Sequence, residues 1–214
     1  MSENRLSGLI PSSLPPGMRH FWVNGNSLHG TLPSSLPNSI ADFGANDNFI
    51  SGAIPPSYSS LINLDTLFLF NNGLSGIIPT LSKMKSLRYL LLGSNKLTGN
   101  LPCLPNAILD VKIWYNKLNG SLPIFPNTLK TLDIAGNAFT GTINLTKPET
   151  VLIASNYIVS IIIQDKSVLN SCDISNNPLL GYAGLVNLPT CTKTGLYTST
   201  MAHNTTSPSI SILI

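Results

Sequence analysis

Apolar residues recur along this chain in a fixed order around a single asparagine. In the stretch 87–102, LRYLLLGSNKLTGNLP, leucines stand eight, five and three positions before Asn95, and Leu97, Gly99 and a Leu-Pro pair follow it. Aligning on that asparagine gives nine anchors: Asn4, Asn26, Asn48, Asn72, Asn95, Asn116, Asn137, Asn156 and Asn177. The steps between them are 22, 22, 24, 23, 21, 21, 19 and 21 residues. The preceding apolar trios are Met18, Phe21, Val23; Ile40, Phe43, Ala45; Leu64, Leu67, Leu69; Leu87, Leu90, Leu92; Ile108, Val111, Ile113; and Leu129, Leu132, Ile134. The last two members of each trio alternate with variable residues, which is the period of a strand with one buried face. Stacked coil on coil, these strands predict one parallel sheet.

The residues after each strand predict how the coil closes. A side-chain amide both donates and accepts, so a column of asparagines can satisfy backbone groups from one coil to the next. This ladder is assigned to Asn26, Asn48, Asn72, Asn95, Asn116, Asn137, Asn156 and Asn177. Two residues on, Leu28, Ile50, Leu74, Leu97, Leu118 and Phe139 return to the core. Gly30, Gly52, Gly76, Gly99, Gly120 and Gly141 then stand where a tight turn needs positive φ or close backbone approach. Proline closes the motif and stops a helix from starting.

With these residues on the page, the chain resembles the plant-type leucine-rich repeats, LxxLxLxxNxLxGxIP, of receptor-like ectodomains and polygalacturonase-inhibitor-like proteins. The period lies in the range of about 20–29 residues typical of such repeats. The resemblance implies a predominantly β solenoid of the α/β type: a right-handed horseshoe with one parallel concave sheet and little helix. Short spacers reading Leu-Pro-Asn or Phe-Pro-Asn at 36–38, 104–106 and 125–127 depart from the family pattern and imply a compact convex side. The expected organisation is a partial N-terminal repeat at 1–16, a solenoid of about eight coils at 17–181, a C-terminal cap at 182–191 and a Ser/Thr-rich flexible tail at 192–214. The opening residues hold Asn4, Leu6, Gly8 and Pro11 with no strand before them and no apolar leader, so the expectation is a truncated start.

Function in such a scaffold resides in the variable positions. Side chains one, two, four, six and seven residues before each anchor are expected on the concave face. There stand Trp22, Phe68, Phe70, Arg88, Tyr89, Lys112, Trp114 and Tyr115, assigned as ligand-binding, with both tryptophans of the chain among them. Eight strands at about 4.8 Å give a face of roughly 34 Å, room for a peptide, a glycan or a protein edge. Exposed aromatics in adjacent coils form the kind of patch that binds partners. The alternative is that the rings only pack against one another along the sheet.

Composition narrows the field. Twelve basic and nine acidic residues give a net charge of +3 with no Lys/Arg cluster, so nucleic acid is not an expected partner. Membrane contact is expected only through a missing or truncated anchor, and the oligomeric state is left open. His20, His29, His203 and the three cysteines show no metal-ligand spacing, so no metal and no cofactor are expected. Asp110 and Asp133 stand where they could face each other across neighbouring coils, but on an open sheet they would be hydrated. No catalytic residue is assigned and no enzyme activity is expected.

The C-terminal cysteines suggest a staple. Cys172 occupies a core slot, and a returning segment at 185–189 brings Cys191 within reach, so a disulfide-sealed cap or two plain core cysteines are the open alternatives. Cys103 has no evident partner. The sequons Asn119-Gly-Ser, Asn144-Leu-Thr and Asn204-Thr-Thr support secretion, the first two in or beside the turn after the strand. The expectation is a non-catalytic extracellular or cell-surface module that binds a protein, peptide or glycan. An inhibitor of a secreted cell-wall hydrolase, a structural or adhesive surface protein, and a cytoplasmic location are the alternatives.

Overall fold

The structure is a computed structural model that describes residues 5–178 and 191–192. The six expected trios form the strands β2 (His20–Trp22), β4 (Asp42–Gly44), β6 (Thr66–Phe68), β8 (Tyr89–Leu91), β10 (Asp110–Lys112) and β12 (Thr131–Asp133), and the next two coils add β14 (Thr150–Leu152) and β16 (Ser171–Asp173). With β17 (Cys191–Thr192) they make one parallel nine-stranded sheet in chain order. Equivalent repeat positions pair across it, for example Leu90 with Val111 and Val111 with Leu132. The middle residue of each strand therefore points inward, and Phe43, Leu67, Leu90, Val111, Leu132 and Val151 are buried.

A second sheet lies where the sequence reading had only turns. Strands β1 (Ser7–Leu9), β3 (Ser27–Thr31), β5 (Phe49–Ala53), β7 (Gly73–Ile77), β9 (Lys96–Gly99), β11 (Lys117–Ser121), β13 (Ala138–Leu145) and β15 (Tyr157–Ile163) pair in parallel along the coils. The expected glycines do have positive φ, from 77° at Gly76 to 85° at Gly141, but they sit inside these strands. The turn itself falls one residue before each anchor. Gly25, Asp47, Asn71, Ser94, Tyr115, Gly136, Ser155 and Asn176 are all left-handed there, mostly residue types that tolerate that conformation. Asn119 and Asn144, expected in or beside turns, instead lie exposed on β11 and β13 of this sheet.

The asparagine column ties the two sheets together. Asn95 Oδ1 accepts from Leu74 N at 2.9 Å, while its Nδ2 donates to Leu92 O and to Leu69 O of the preceding coil, both at 3.0 Å. The same acceptor bond recurs from Asn26 with Leu6 N to Asn177 with Ile158 N. Each of these amides, buried at Asn26, Asn48, Asn156 and Asn177 and half-buried between, thus occupies backbone groups that the bend takes out of both ladders.

Short extended segments close the convex side, and among the described residues the one helical piece is a 3-10 turn, Pro56–Ser60. Its Tyr58 is buried, packs edge-on against Phe43 and donates its hydroxyl to Pro33 O at 3.1 Å. Burial pushes its phenol pKa well up from the ordinary value. Ile161 and Ile163 are buried strand residues. At the C-terminal end Cys191 stands opposite Cys172 across β16 and β17, and the two sulfurs are bonded. Asn4, the cap segment at 179–190 and the tail at 193–214 with Asn204 lie outside the described residues.

Candidate functional site: an aromatic strip on the concave sheet

Because every coil repeats the same backbone path, variable residues stand in columns along the concave sheet. Trp22, Gly44, Phe68, Leu91, Lys112 and Asp133 share the column four residues before the anchors. Asn24, Asn46, Phe70, Gly93, Trp114 and Ala135 share the column two residues before them. Within each column an indole reaches a phenylalanine across a glycine. A Cβ placed on Gly44 would lie 2.2 Å from Cε3 of Trp22, so that ring covers Gly44, and it meets Phe68 edge-on at 5.7 Å between centroids. A Cβ on Gly93 would lie 2.2 Å from Cδ2 of Trp114, whose ring meets Phe70 at 5.9 Å. Phe68 and Phe70, 6.4 Å apart, join the two halves into one strip.

The remaining assigned residues stand at the margins. Tyr115, 67% exposed, lies over Gly136 of the next coil, where a Cβ would come within 2.3 Å of its ring. Tyr89 is half-buried, and the Arg88 guanidinium lies 5.6 Å above its centroid. Arg88 holds both carboxylate oxygens of Asp65 at the sheet's edge, which raises its pKa. Lys112 faces Asp133 across the register, and Asp110 faces Thr131, so the carboxylate pair considered from sequence does not form. Desolvation pushes the Asp133 carboxyl up, opposed by the Ala135 N–H it accepts and by Lys112.

Two amides complete the strip. Asn46 is 6% exposed and donates from Nδ2 to Asp47 Oδ2 at 2.6 Å. Its Oδ1 and that of Asn24 are buried and accept from no group of the protein. The Asn24 oxygen lies 2.7 Å from the Cβ position of Gly44, beside the Trp22 ring. The strip therefore combines uncharged aromatic surface with two acceptors lacking donors. Sequence reasoning missed Gly44, Gly93, Gly136, Asn24 and Asn46. A signal was available: each glycine occupies the same repeat position as the neighbouring coil's Trp22, Trp114 or Tyr115. Among the described residues no group of three or more His, Cys, Asp or Glu could hold a metal ion, and Cys103 is exposed and free.

The two-sheet solenoid matches solved structures closely over its length. A TDR receptor superposes with a TM-score of 0.69 at 23% identity, covering 82% of this chain and 34% of that one. The fold of this chain is that of a leucine-rich-repeat solenoid. The plant peptide hormone receptor RGFR1 in complex with RGF2 gives a TM-score of 0.65 at 23% identity, over 100% of this leucine-rich-repeat chain and 40% of that one. A plant ice-binding protein gives 0.63 at 22% identity, over 85% of this chain and 72% of that one. The leucine-rich-repeat chain thus spans about a third to two fifths of the length of these two receptors, and the likeness is one of fold. No protein-family model and no curated protein matches it.

Proposed function

We propose that this leucine-rich-repeat solenoid is a non-catalytic recognition module that works outside the cell and binds its ligand across the strip from Trp22 to Trp114. The observation that carries the reading is the strip itself, four rings in mutual contact on the open concave sheet. Rings of this kind dominate binding energy where they become desolvated by a partner. Their mutual packing, weighed from sequence as the alternative, coexists with binding because all four stay half-exposed. The disulfide between Cys172 and Cys191 supports an oxidising compartment, and among the similar folds RGFR1 is a receptor for a peptide hormone.

The test uses immobilised panels of secreted peptides, secreted proteins and cell-wall oligosaccharides, probed with the native chain and two variants. Phe70→Ala/Trp114→Ala removes half of the strip. Phe49→Ala alters an exposed side chain of the second sheet and serves as control. Binding retained by the control and lost by the strip variant is expected. Ligands held equally by the strip variant overturn the proposal.

A further inference from the structure

Building on the reading of the strip as the binding face, we infer that its ligand is a neutral oligosaccharide whose rings stack on the two indoles while hydroxyls donate to Asn24 and Asn46. The first support is the attitude of the indoles. The Cβ position of Gly93 lies 2.2, 2.4 and 2.5 Å from Cδ2, Cε2 and Cε3 of Trp114, the atoms around the ring fusion, so the indole lies flat on the backbone. Trp22 meets Gly44 with the outer atoms of its six-membered ring, Cε3 and Cζ3 at 2.2 and 2.4 Å from that Cβ position. Both indoles rest on a glycine and stay partly exposed. An indole face is electron-rich and attracts positively polarised groups. The flat C–H face of a pyranose presents such hydrogens over an area comparable to the ring.

The second support is the polarity of the amides. Among the described residues the two buried polar side-chain atoms without a partner are both acceptors, and Asn46 has already committed an amide hydrogen to Asp47. A sugar hydroxyl rotates to donate or accept as its surroundings require, so it satisfies a wall of acceptors. Both oxygens are closed off, that of Asn24 beside the Trp22 ring, so engagement tilts that indole and turns the Asn46 side chain outward.

Charge supplies the third support. The rings and amides carry none. His20 and Asp42 at the strip's upper edge bond each other at 2.5 Å, Asp47 accepts from both Asn46 and Asn71 at 2.6 Å, and Lys112 faces Asp133. A uronate would meet the Asp47 and Asp133 carboxylates here, which disfavours it. Trp22 and Trp114 stand four coil steps apart, about 19 Å at 4.8 Å per step, which suits a linear oligomer of several rings.

Both tryptophans of the chain belong to the strip, so intrinsic emission reports on this site alone. The native chain is titrated with hexasaccharides of β-glucan, xylan and mannan, and with an oligogalacturonide as the charged counterpart. A saturable emission change with at least one neutral oligomer, weakened tenfold or more in both Asn46→Ala and Phe70→Ala, is expected, with the galacturonide at least tenfold weaker. Silence of all three neutral oligomers up to millimolar concentration, or equal binding of the galacturonide, overturns the inference. A peptide captured by the strip while every sugar stays silent also overturns it, yet leaves the concave binding face standing. Sugar binding indifferent to both variants overturns the face as well.

Discussion

Gly93→Ala isolates the central claim that a glycine in the concave column exists to seat an indole. The backbone at Gly93 lacks the left-handed φ of the turn glycines, so alanine meets no conformational penalty there. The nearest obstacle is the Trp114 ring, 2.2 Å from the new Cβ. The ring lies at the surface and can swing toward solvent, so the cost is the lost contact with Phe70 rather than a buried clash. An aromatic pair contributes about 0.5–1.5 kcal/mol, and replacing glycine by alanine in compatible backbone returns about 0.4–1 kcal/mol through the unfolded state. The expected net change is a destabilisation between about zero and 1 kcal/mol in urea unfolding, with red-shifted and more quenchable tryptophan emission. A double-mutant cycle sharpens the test: in the Trp114→Ala background, Gly93→Ala becomes neutral or stabilising, because the obstacle is gone. Unchanged emission, or a cost above about 3 kcal/mol that persists without Trp114, refutes the reasoning.

Three further outcomes probe the scaffold. Asn95→Ala leaves Leu74 N without its partner, while Leu69 O and Leu92 O still accept from Asn72 and Asn116. At about 1–3 kcal/mol for one unsatisfied group, a loss of about 1–3 kcal/mol in urea unfolding is expected, and no loss would show that this rung of the ladder is dispensable. Cys191→Ser opens a link across 19 residues of sequence, which chain entropy values at about 3 kcal/mol; hydrogen exchange should show the β16 coil losing protection first, and uniform protection would contradict a local staple. Asp165 accepts from Ser167 N and pairs with Lys147, which lowers its pKa from 3.8 to about 2. Its stabilisation is present above the unfolded value and lost as pH falls between those limits, so Asp165→Asn should flatten the acid limb of a pH-stability curve between about pH 4 and 2; an unchanged limb would place the acid sensitivity elsewhere.

The concave sheet and the asparagine ladder were legible because each rests on a period. Leu87, Leu90, Leu92 and Asn95 recur with their neighbours' equivalents at constant offsets, and burial follows from those offsets alone. The second sheet was not legible, since its outward positions mix His29, Phe49, Ile77 and Lys117 with no common chemistry. Strand there depends on backbone pairing between coils, which the ladder of equivalent backbones supplies whatever the side chains. Asn119 and Asn144 were misplaced for the same reason. The assigned aromatics Trp22, Phe68, Phe70 and Trp114 do come together. Reading along the chain shows each ring, but only reading down a column shows the glycine beneath it. Arg88 stands just before β8, where its guanidinium pairs with Asp65 and lies over the Tyr89 ring.

Tyr115 is where the scaffold and the strip make opposite demands. From Gly25 to Asn176 the column one residue before the anchors is left-handed, and Gly, Asn, Asp and Ser fill its other seven positions there. Tyr115 holds φ at 47° with a large ring, a conformation that costs a non-glycine residue about 1–2 kcal/mol. Gly136, at the same position of the next coil, gives that ring a seat, but the ring stays largely exposed and recovers only part of the strain. A residue kept in a strained and exposed setting is what a binding face demands and a scaffold does not. Tyr115→Asn restores the residue type that Asn71 and Asn176 supply in this column. It should leave stability unchanged or raise it by up to about 1 kcal/mol in urea unfolding, while weakening any ligand that reaches the strip's C-terminal margin. A destabilisation beyond about 1 kcal/mol would mean that the ring's seat on Gly136 holds the coils together, and that Tyr115 serves the scaffold after all.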